Sequence, residues 1–217
     1  MPQGVSAINR FLMPSFVEER RLARQGCRFI AGIDEVGRGA LAGPVVAAAV
    51  TLPNRLEAPW LGQVRDSKLL TPKRRQYLYK HISEAAIAVG VGVVSNEIID
   101  ADGIVGATRL AMKLAIGKLS PPPDTLLIDY LLLPEVPLPQ KAIVNGDSLC
   151  FSIACASIIA KVSRDRLLVE LEAIYCGYGL KQHKGYCTQM HLAGLKRLGP
   201  SPIHRRSFHP VKEVMLV

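Results

Sequence analysis

Short apolar runs, each bounded by glycine, proline or polar residues, indicate where this chain forms strands. Residues 28–33 form such a run, which leads into an Asp-Glu pair, and residues 45–52 carry no charge. Residues 88–94 alternate valine with glycine or other small residues, and two shorter runs cover residues 126–129 and 142–144. Runs of this length between turn residues are typical of buried strands, so we predict five strands.

Helical signals lie between these runs. The Thr71-Pro72 pair suits a helix start, because threonine caps helices and proline is favoured at the first position. The longest helical segment, residues 151–175, contains no glycine or proline, and its apolar residues recur at helical spacing. In all, we predict helices over residues 72–86, 107–118, 151–175 and 189–198. Strands that alternate with helices are typical of an α/β fold with a mixed sheet.

The chain divides by composition into three parts. All the predicted strands and the longest helix fall within residues 26–180, which we expect to form one α/β domain. Residues 1–25 are polar and basic, and we interpret them as a leader. Residues 181–217 are basic and rich in histidine, and we expect a smaller helical and irregular extension there.

The charge balance favours a polyanionic partner. The chain has 217 residues, with 27 Lys and Arg against 18 Asp and Glu, a formal net charge of +9. An excess of this size is typical of proteins that bind nucleic acid, although a generic basic surface explains it equally well. Charge alone therefore leaves both interpretations open.

The apolar runs and the cysteines indicate the cellular compartment of the protein. No apolar run approaches the roughly 18 residues of a membrane span, and the N-terminal residues lack the pattern of a secretory signal. The five cysteines are odd in number and form no C-x-x-C pair. This pattern favours reduced thiols, so we expect a cytoplasmic protein without a membrane partner.

Acidic residues follow three separate predicted strands. Asp34 and Glu35 follow the first strand, Asp129 ends the fourth, and Asp147 lies between the fifth strand and the longest helix. Each acid taken singly could close a turn or cap a helix. Together, at strand ends where α/β sheets bind ligands, they predict an oxygen-rich site for Mg²⁺ or Mn²⁺. Two such ions about 3.5–4 Å apart catalyse phosphodiester hydrolysis in many nucleases.

The glycine-rich turn at residues 37–44 matches the dinucleotide pattern G-x-G-x-x-A only formally. That pattern requires a helix directly after the turn, whereas Gly43-Pro44 and a Val/Ala strand follow here. We therefore expect no nucleotide cofactor. A backbone loop beside the acids, open to a sugar–phosphate chain, explains the glycines better, with Arg38 as a phosphate contact.

Basic and aromatic residues are interleaved near the C-terminus, as in nucleic-acid-binding surfaces. The set comprises Lys181, His183, Lys184, Tyr186, Lys196, Arg197, His204, Arg205, Arg206, Phe208 and His209. Among them we assign Lys184 to nucleic-acid binding; a solvated basic end is the alternative. The spacing of Cys176, His183, Cys187 and His191 fits no zinc pattern, so partly buried free thiols are favoured.

A series of ordered motifs resembles the ribonuclease HII family over about residues 29–211. The motifs are residues 33–39 (IDEVGRG), 41–45 (LAGPV), 66–68 (DSK) with Leu70, 107–108 with 111–112, 127–129 (LID), 146–147 with 152–154 and 156–162, 183–186 (HKGY) with Thr188 and His191, and 199–200 with 204–205 and 207–208. The resemblance implies a ribonuclease H-like mixed sheet with helices on both faces and a small C-terminal helical extension. It also implies that residues 26–180 are the catalytic domain and that residues 181–217 help to bind substrate.

The resemblance further implies what the site residues do. Four acids would be the catalytic metal ligands for a pair of Mg²⁺ or Mn²⁺ ions: Asp34, Glu35, Asp129 and Asp147. Gly37, Arg38 and Gly39 would contact the ribose 2′-hydroxyl and the adjacent phosphate, and Tyr186 would pack on the neighbouring deoxyribose. Ser67 and Lys68 would be further substrate contacts.

The activity implied is that of an endonuclease acting as a monomer. Such an enzyme cuts the RNA strand of RNA–DNA hybrids and nicks duplex DNA 5′ to a single ribonucleotide, leaving 3′-hydroxyl and 5′-phosphate ends. The 2′-hydroxyl is the group that distinguishes RNA from DNA at one position. This chain has Tyr130 where the family has glycine, and it has Gly103 where the family has asparagine.

Two other functions are compatible with parts of the sequence. In a non-catalytic nucleic-acid-binding protein, the acids would be structural and only the basic surface would work. A dinucleotide-dependent oxidoreductase would use the glycine turn, against the context described above. A cutting assay with a divalent metal separates the first alternative from a nuclease.

Overall fold

The computed structural model describes residues 13–215, which contain a five-stranded mixed sheet. The strands are β1 (Ile30–Val36), β2 (Val45–Thr51), β3 (Ala88–Val94), β4 (Thr125–Asp129) and β5 (Gln140–Ile143). Their order in the sheet is β3-β2-β1-β4-β5. The pairs β1–β2 and β2–β3 are antiparallel, whereas β1–β4 and β4–β5 are parallel. The predicted α/β fold with a mixed sheet is confirmed.

Eight α-helices precede, connect or follow these strands in the described part of the chain. They are α1 (Val17–Arg24), α2 (Pro72–Ala85), α3 (Asn96–Ile116), α4 (Gly146–Leu149), α5 (Phe151–Ile174), α6 (Leu180–His183), α7 (Gln189–Leu198) and α8 (His209–Met215). The predicted start of α2 is confirmed, since the Thr71 side chain accepts a hydrogen bond from the Arg74 backbone N–H at 3.3 Å. None of the helices described between residues 13 and 215 has the length and apolar character to span a membrane.

The alternation of β2 gives each face of the sheet its own core. Val45, Ala47 and Ala49 are buried against α3, together with Ala107 and Ala111 of that helix. The intervening residues of β2, such as Ala48 and Val50, belong to a second buried cluster with α2 and α5. Because side chains alternate along a strand, both faces of this uncharged strand are covered by helices, as predicted.

Helix α5 lies unusually close to β1. A Cβ atom at Gly32 would lie 2.2 Å from the backbone carbon of Ser152, so only glycine allows this approach. The close contact fixes α5 against the strand that carries Asp34 and Glu35. Helix α1 holds the start of α5 from the other side, since the buried Glu19 carboxylate accepts the Ser152 backbone N–H at 2.8 Å.

Several boundaries differ from the predictions. Helix α3 begins at Asn96 rather than at residue 107, and Gly103 interrupts it with a φ of 75°. The sequence pattern misses its first half because Asp102-Gly103 has the composition of a turn. It also does not separate α1, α4, α6 and α8 as elements, and the strand boundaries shift by up to three residues. Residues 1–12 of the predicted leader, and residues 216 and 217 of the predicted extension, lie outside the described residues.

Candidate active site

Parallel pairing brings the first and third acidic positions to one edge of the sheet. Ile33 of β1 pairs with Ile128 of β4, so the next residues along the two strands, Asp34 and Asp129, are neighbours. After β5, a turn with Asn145 in the left-handed region, at a φ of 56°, leads into α4 and Asp147. The carboxyl ends of parallel strands meet at this edge, as the positions of the acids predicted.

The side chains of Asp34, Glu35, Asp129 and Asp147, here called the acidic cluster, interact with one another. Burial raises the pKa of Asp34 well above its ordinary value, and the negative charges of the other three acids raise it further. Burial also raises the pKa of each of the other three. Asp129 is tied to α4, because its Oδ1 accepts the Gly146 backbone N–H at 2.7 Å. The four carboxylates therefore share one site and disfavour each other's charge.

Two cationic side chains lie beside the acidic cluster. Arg38 Nη1 is 3.3 Å from Glu35 Oε1, and Lys68 Nζ is 3.5 Å from Asp147 Oδ2. The Lys68 side chain is 77% exposed, so the same ammonium group is accessible to a ligand. The predicted substrate contacts Arg38 and Lys68 thus lie at the rim of the cluster.

The acidic cluster fits a hard divalent cation chemically. Its donors are all carboxylate oxygens, the ligands that Mg²⁺ and Mn²⁺ prefer. Glu35 Oε2 is buried without a hydrogen-bond partner in the described structure, and leaving such an oxygen unsatisfied is costly. Among residues 13–215, no three His, Cys, Asp or Glu side chains are already placed to hold an ion together. Side-chain rotation would therefore accompany metal binding.

The glycine loop, residues 37–44, lies next to the acidic cluster. Gly37 has a φ of 90°, and a Cβ atom there would lie 2.2 Å from Arg164 Nε, so this position requires glycine for the fold. Gly39 differs, because a Cβ atom there would meet no protein atom within 4 Å and its φ is not in the left-handed region. The packing within the protein therefore does not require glycine at position 39, and the space beside it is open.

Two buried arginines hold the glycine loop in place. Arg164 donates to the carbonyl oxygens of Pro44 at 2.9 Å and Ala42 at 3.1 Å, and Arg205 donates to Arg38 at 2.8 Å and Gly43 at 2.9 Å. Both side chains are fully buried. Burial lowers the pKa of Arg164 and lowers that of Arg205 to about 9.

Sequence reasoning misses the function of these arginines. A signal exists for Arg164, which lies four residues after Ala160 and four before Leu168, on the buried face of α5. The neighbouring acid, Asp165, pairs within α5 with Lys161 at 2.7 Å, as expected for a structural salt bridge.

The tyrosine segment, residues 183–186, packs on the glycine loop. The Leu41 backbone N–H donates to the Gly185 carbonyl at 2.7 Å, and Tyr186 forms an antiparallel bridge with Ala40. The Tyr186 ring lies under the Arg164 guanidinium, 5.4 Å from its centroid. The structure thus brings the predicted residues Gly37, Arg38, Gly39 and Tyr186 into one surface.

The remaining predicted contacts, Ser67, Lys68 and Lys184, are not equivalent. Ser67 is buried, and its hydroxyl lies 2.9 Å from that of Ser157, whose hydrogen bond to Asp34 opposes the rise in the pKa of that acid. Lys184 follows α6 and lines a groove of about 620 Å³ between α2, α5 and α6 that also contains Tyr186. Ser67 therefore supports an acid from behind, whereas Lys184 borders an open surface.

The cysteine prediction is correct in one respect and wrong in another. All five cysteines are free thiols, and Cys150 and Cys155 are buried. Cys176 and Cys187 are exposed rather than partly buried, because both lie in turns around the C-terminal helices. His191, by contrast, is fully buried. These residues do not share a common site within the described part of the chain.

Comparisons with known proteins agree with the geometry. The model of the ribonuclease HII family matches residues 31–211. A ribonuclease HII of Dehalococcoides mccartyi is 61% identical over 203 residues, which cover 94% of this chain and 96% of that protein.

Two solved structures show the same fold. Ribonuclease H2 from Pyrococcus horikoshii OT3 has a TM-score of 0.71 at 24% identity and covers 86% of this chain and 96% of its own. Bst-RNase HIII in complex with Mn²⁺ has a TM-score of 0.69 at 17% identity, over 99% of this chain and 73% of its own. At these identities the likeness supports the fold alone.

Proposed function

Because this chain belongs to the ribonuclease HII family, we propose that it nicks duplex DNA immediately 5′ to a single embedded ribonucleotide, leaving 3′-hydroxyl and 5′-phosphate ends. The chain is an endonuclease of the ribonuclease H type, which acts on RNA–DNA hybrids. Family membership gives the endonuclease activity, whereas the position of the nick and the nature of the ends are proposed here. The observation that carries it is the acidic cluster beside a glycine loop whose Gly39 has open space around its Cβ position.

The acidic cluster would hold the metal. Asp34, Glu35, Asp129 and Asp147 offer oxygen ligands, and we propose two Mg²⁺ or Mn²⁺ ions in the complex with substrate. When bound, such ions lower the pKa of a water molecule and offset the charge that develops on the phosphate. The ammonium of Lys68 and the guanidinium of Arg38 lie only at the rim of the cluster, so they leave room for metal ions among the carboxylates.

The glycine loop would identify the ribose. Backbone N–H groups at residues 37–39 can reach a 2′-hydroxyl only where no side chain intervenes, and Gly39 provides that opening. The buried guanidiniums of Arg164 and Arg205 fix the loop carbonyls, so the loop is organised before substrate arrives. Preorganisation of this kind reduces the cost of ordering the loop on binding.

Tyr186 would test the sugar next to the ribonucleotide. Its side chain borders the groove, and its backbone bridges with that of the glycine loop. An aromatic ring packs well on a deoxyribose, and a 2′-hydroxyl at that sugar would disturb the contact. We therefore propose that Tyr186 favours an RNA-to-DNA junction. Lys68, Lys184 and exposed residues of the extension would contribute to substrate binding, whereas the buried Ser67 would support Asp34 through Ser157.

The assembly and location of the enzyme are also proposals. We propose a monomer whose partner is the nucleic-acid duplex. The five free thiols fit a reducing cytoplasm.

A cutting assay on a defined duplex tests the proposed function. A DNA duplex with one ribonucleotide is incubated with the protein and Mg²⁺ or Mn²⁺, and the products are sized and their ends analysed. We expect one nick, 5′ to the ribonucleotide. Asp129→Asn should abolish cutting and largely keep binding, because one ligand charge is lost. Asp102→Asn, which changes an exposed acid of α3, is the matched control and should cut normally.

The same assay can contradict the proposal. If the wild-type protein binds the duplex but cuts it with neither metal, a non-catalytic nucleic-acid-binding function would replace the nuclease. A nick on the 3′ side of the ribonucleotide would keep the nuclease and reject the proposed position.

A further inference from the structure

Three imidazole rings, one from the tyrosine segment and two from α7 and the turn after it, stack outside the proposed chemistry. The rings of His183 and His191 stack with centroids 4.4 Å apart, and those of His191 and His204 are 5.2 Å apart. His191 and His204 are fully buried. Buried polar side chains are stable only when their hydrogen-bonding groups are satisfied, so the partners of each nitrogen show what the rings do.

The hydrogen bonds of this group run in one direction. The Ser201 backbone N–H, which can only donate, lies 3.0 Å from His204 Nδ1, so that nitrogen is an acceptor. Neutral His204 then carries its proton on Nε2 and donates to His191 Nε2 at 3.0 Å. His191 in turn carries its proton on Nδ1, 3.0 Å from the carbonyl oxygen of Tyr186, which can only accept.

These hydrogen bonds hold each of the two buried rings in one tautomer. A second proton on either ring would bring two N–H donors face to face, either between the rings or at Ser201. Burial also lowers the pKa of His191, and it lowers that of His204 to about 4. Both rings are therefore neutral at neutral pH, and the chain of hydrogen bonds from Ser201 to Tyr186 is complete.

The series of hydrogen bonds ends at the Tyr186 peptide group. The Tyr186 carbonyl also accepts the Thr188 backbone N–H at 2.9 Å, so both of its lone pairs are used. On the other side of the backbone, the Tyr186 N–H donates to the His183 carbonyl at 3.0 Å. The Tyr186 backbone is thus held by local turns, by its bridge to Ala40 and by the side chain of His191, while the ring itself lies against Arg164 and Lys161.

We propose that His191 and His204 are positioning residues for Tyr186, and that they set how strongly the enzyme favours a lone ribonucleotide in DNA over a long RNA–DNA hybrid. Neither imidazole touches the acidic cluster or the groove. They connect the turn at residues 201–204 with the ring that meets the substrate. This inference rests on the proposed function, in which Tyr186 tests the sugar beside the ribonucleotide.

Substitutions at His191 can separate positioning from simple packing. The amide of His191→Asn can donate from near the position of Nδ1 to the Tyr186 carbonyl, whereas His191→Leu fills the space without a donor. Met112→Ala is the control, because Met112 of α3 is fully buried and apolar and belongs to the core on the α3 face of the sheet. The readout is the rate at a single ribonucleotide divided by the rate on a uniform RNA–DNA hybrid.

We expect His191→Leu to lower this ratio about tenfold, since small displacements of a substrate-contacting group have effects of at least this size. His191→Asn should restore most of the ratio. Met112→Ala should lower the thermal stability and leave the ratio unchanged. If Met112→Ala lowers the ratio as much as His191→Leu, or if His191→Asn restores nothing, the two histidines serve only stability and the inference is wrong.

Two further measurements keep this test distinct from that of the proposed function. If Tyr186→Ala leaves the ratio unchanged, the proposed function of Tyr186 fails whatever the histidines do. The hydrogen-bond chain itself is tested in the wild-type protein by ¹⁵N NMR of the imidazoles. At neutral pH we expect the Nδ1–H tautomer of His191 and the Nε2–H tautomer of His204. Any other pair of tautomers would contradict the proposed series of hydrogen bonds.

Discussion

The acidic cluster and the glycine loop are neighbours that differ in how their buried charges are compensated. The acidic cluster gathers four carboxylates whose pKa values are all raised, and Glu35 Oε2 has no partner in the described structure. The glycine loop is held by two buried guanidiniums, Arg164 and Arg205, which donate to backbone carbonyls instead of carboxylates. The cations of the first region lie only at its rim, whereas those of the second are fully buried.

The difference separates what the chain completes by itself from what it leaves to a ligand. Carbonyl oxygens satisfy the arginine N–H groups without removing their charge, so the loop is rigid and electropositive before substrate binds. The acidic cluster has only the rim cations Arg38 and Lys68, and a divalent cation would supply the charge that its buried carboxylates lack. We therefore expect metal binding and ribose recognition to be separable properties of adjacent regions.

The largest expected effect comes from removing a buried guanidinium. Arg164→Met should destabilise the protein by about 3 kcal/mol, because three carbonyl oxygens, those of Ala42, Pro44 and Lys184, lose a charged donor. Urea denaturation measures this loss. The affinity for Mn²⁺, measured by calorimetry, should stay unchanged.

Arg166→Met is the matched control for that substitution. Arg166 is exposed on the same helix and lies over the Tyr79 ring at 4.4 Å, so its loss should cost less than about 1 kcal/mol. Equal destabilisation by the two substitutions, or loss of Mn²⁺ binding in Arg164→Met, would show that the two regions are not separable.

A pH series should sharpen the comparison from the acidic side. Carboxyl groups with raised pKa values hold protons that a metal must displace, so Mn²⁺ affinity should rise with pH, by up to about tenfold per unit for each proton released. Without metal the sign for stability is opposite. Between the ordinary pKa values and the raised ones, the folded state holds more protons than the unfolded chain, so these acids lower stability as the pH rises.

Calorimetric Mn²⁺ titrations and thermal unfolding in EDTA, from about pH 5 to 8, measure both effects. Asp34→Asn should flatten the pH dependence in EDTA, since Asp34 has the strongly raised pKa. A Mn²⁺ affinity that does not change over this range would argue that the acids are already ionised.

The smallest expected effect is at Tyr130, directly after Asp129. Tyr130 has a φ of 61° and is 63% exposed, so it adopts a backbone conformation that favours glycine while burying little of its ring. Tyr130→Gly should stabilise the protein by about 0.5–1 kcal/mol by relieving this strain. Tyr130→Ala keeps the Cβ atom and should give no such gain in urea denaturation; equal gains would exclude backbone strain as the reason.

The parts of the site that follow from local pattern can be predicted from the sequence. Asp34 and Asp129 follow apolar strands, and the strand that comes after Gly37 and Gly39 argues against a nucleotide cofactor without knowledge of the fold. The left-handed backbone at Tyr130 is consistent with the glycine that the family resemblance implies at that position. In each case a few neighbouring residues determine the local structure.

The supporting contacts could not be predicted because they join distant segments. The hydrogen bond from Arg164 to Pro44 spans 120 residues, and that from Arg205 to Gly43 spans 162. Spacing on α5 can show that Arg164 is buried, but not which carbonyl it meets. The contact between His191 and His204 likewise depends on how α7 and the following turn pack, which no periodicity reports.

The two exposed thiols, Cys176 and Cys187, offer a way to observe duplex binding directly. Burial raises the pKa of Cys150 and Cys155, so a maleimide dye will react at Cys176 and Cys187 in preference to them. Cys187 directly follows Tyr186. Cys27 is partly exposed, so in a background with both Cys27→Ser and Cys176→Ser a fluorophore at Cys187 would report the arrival of a duplex in real time.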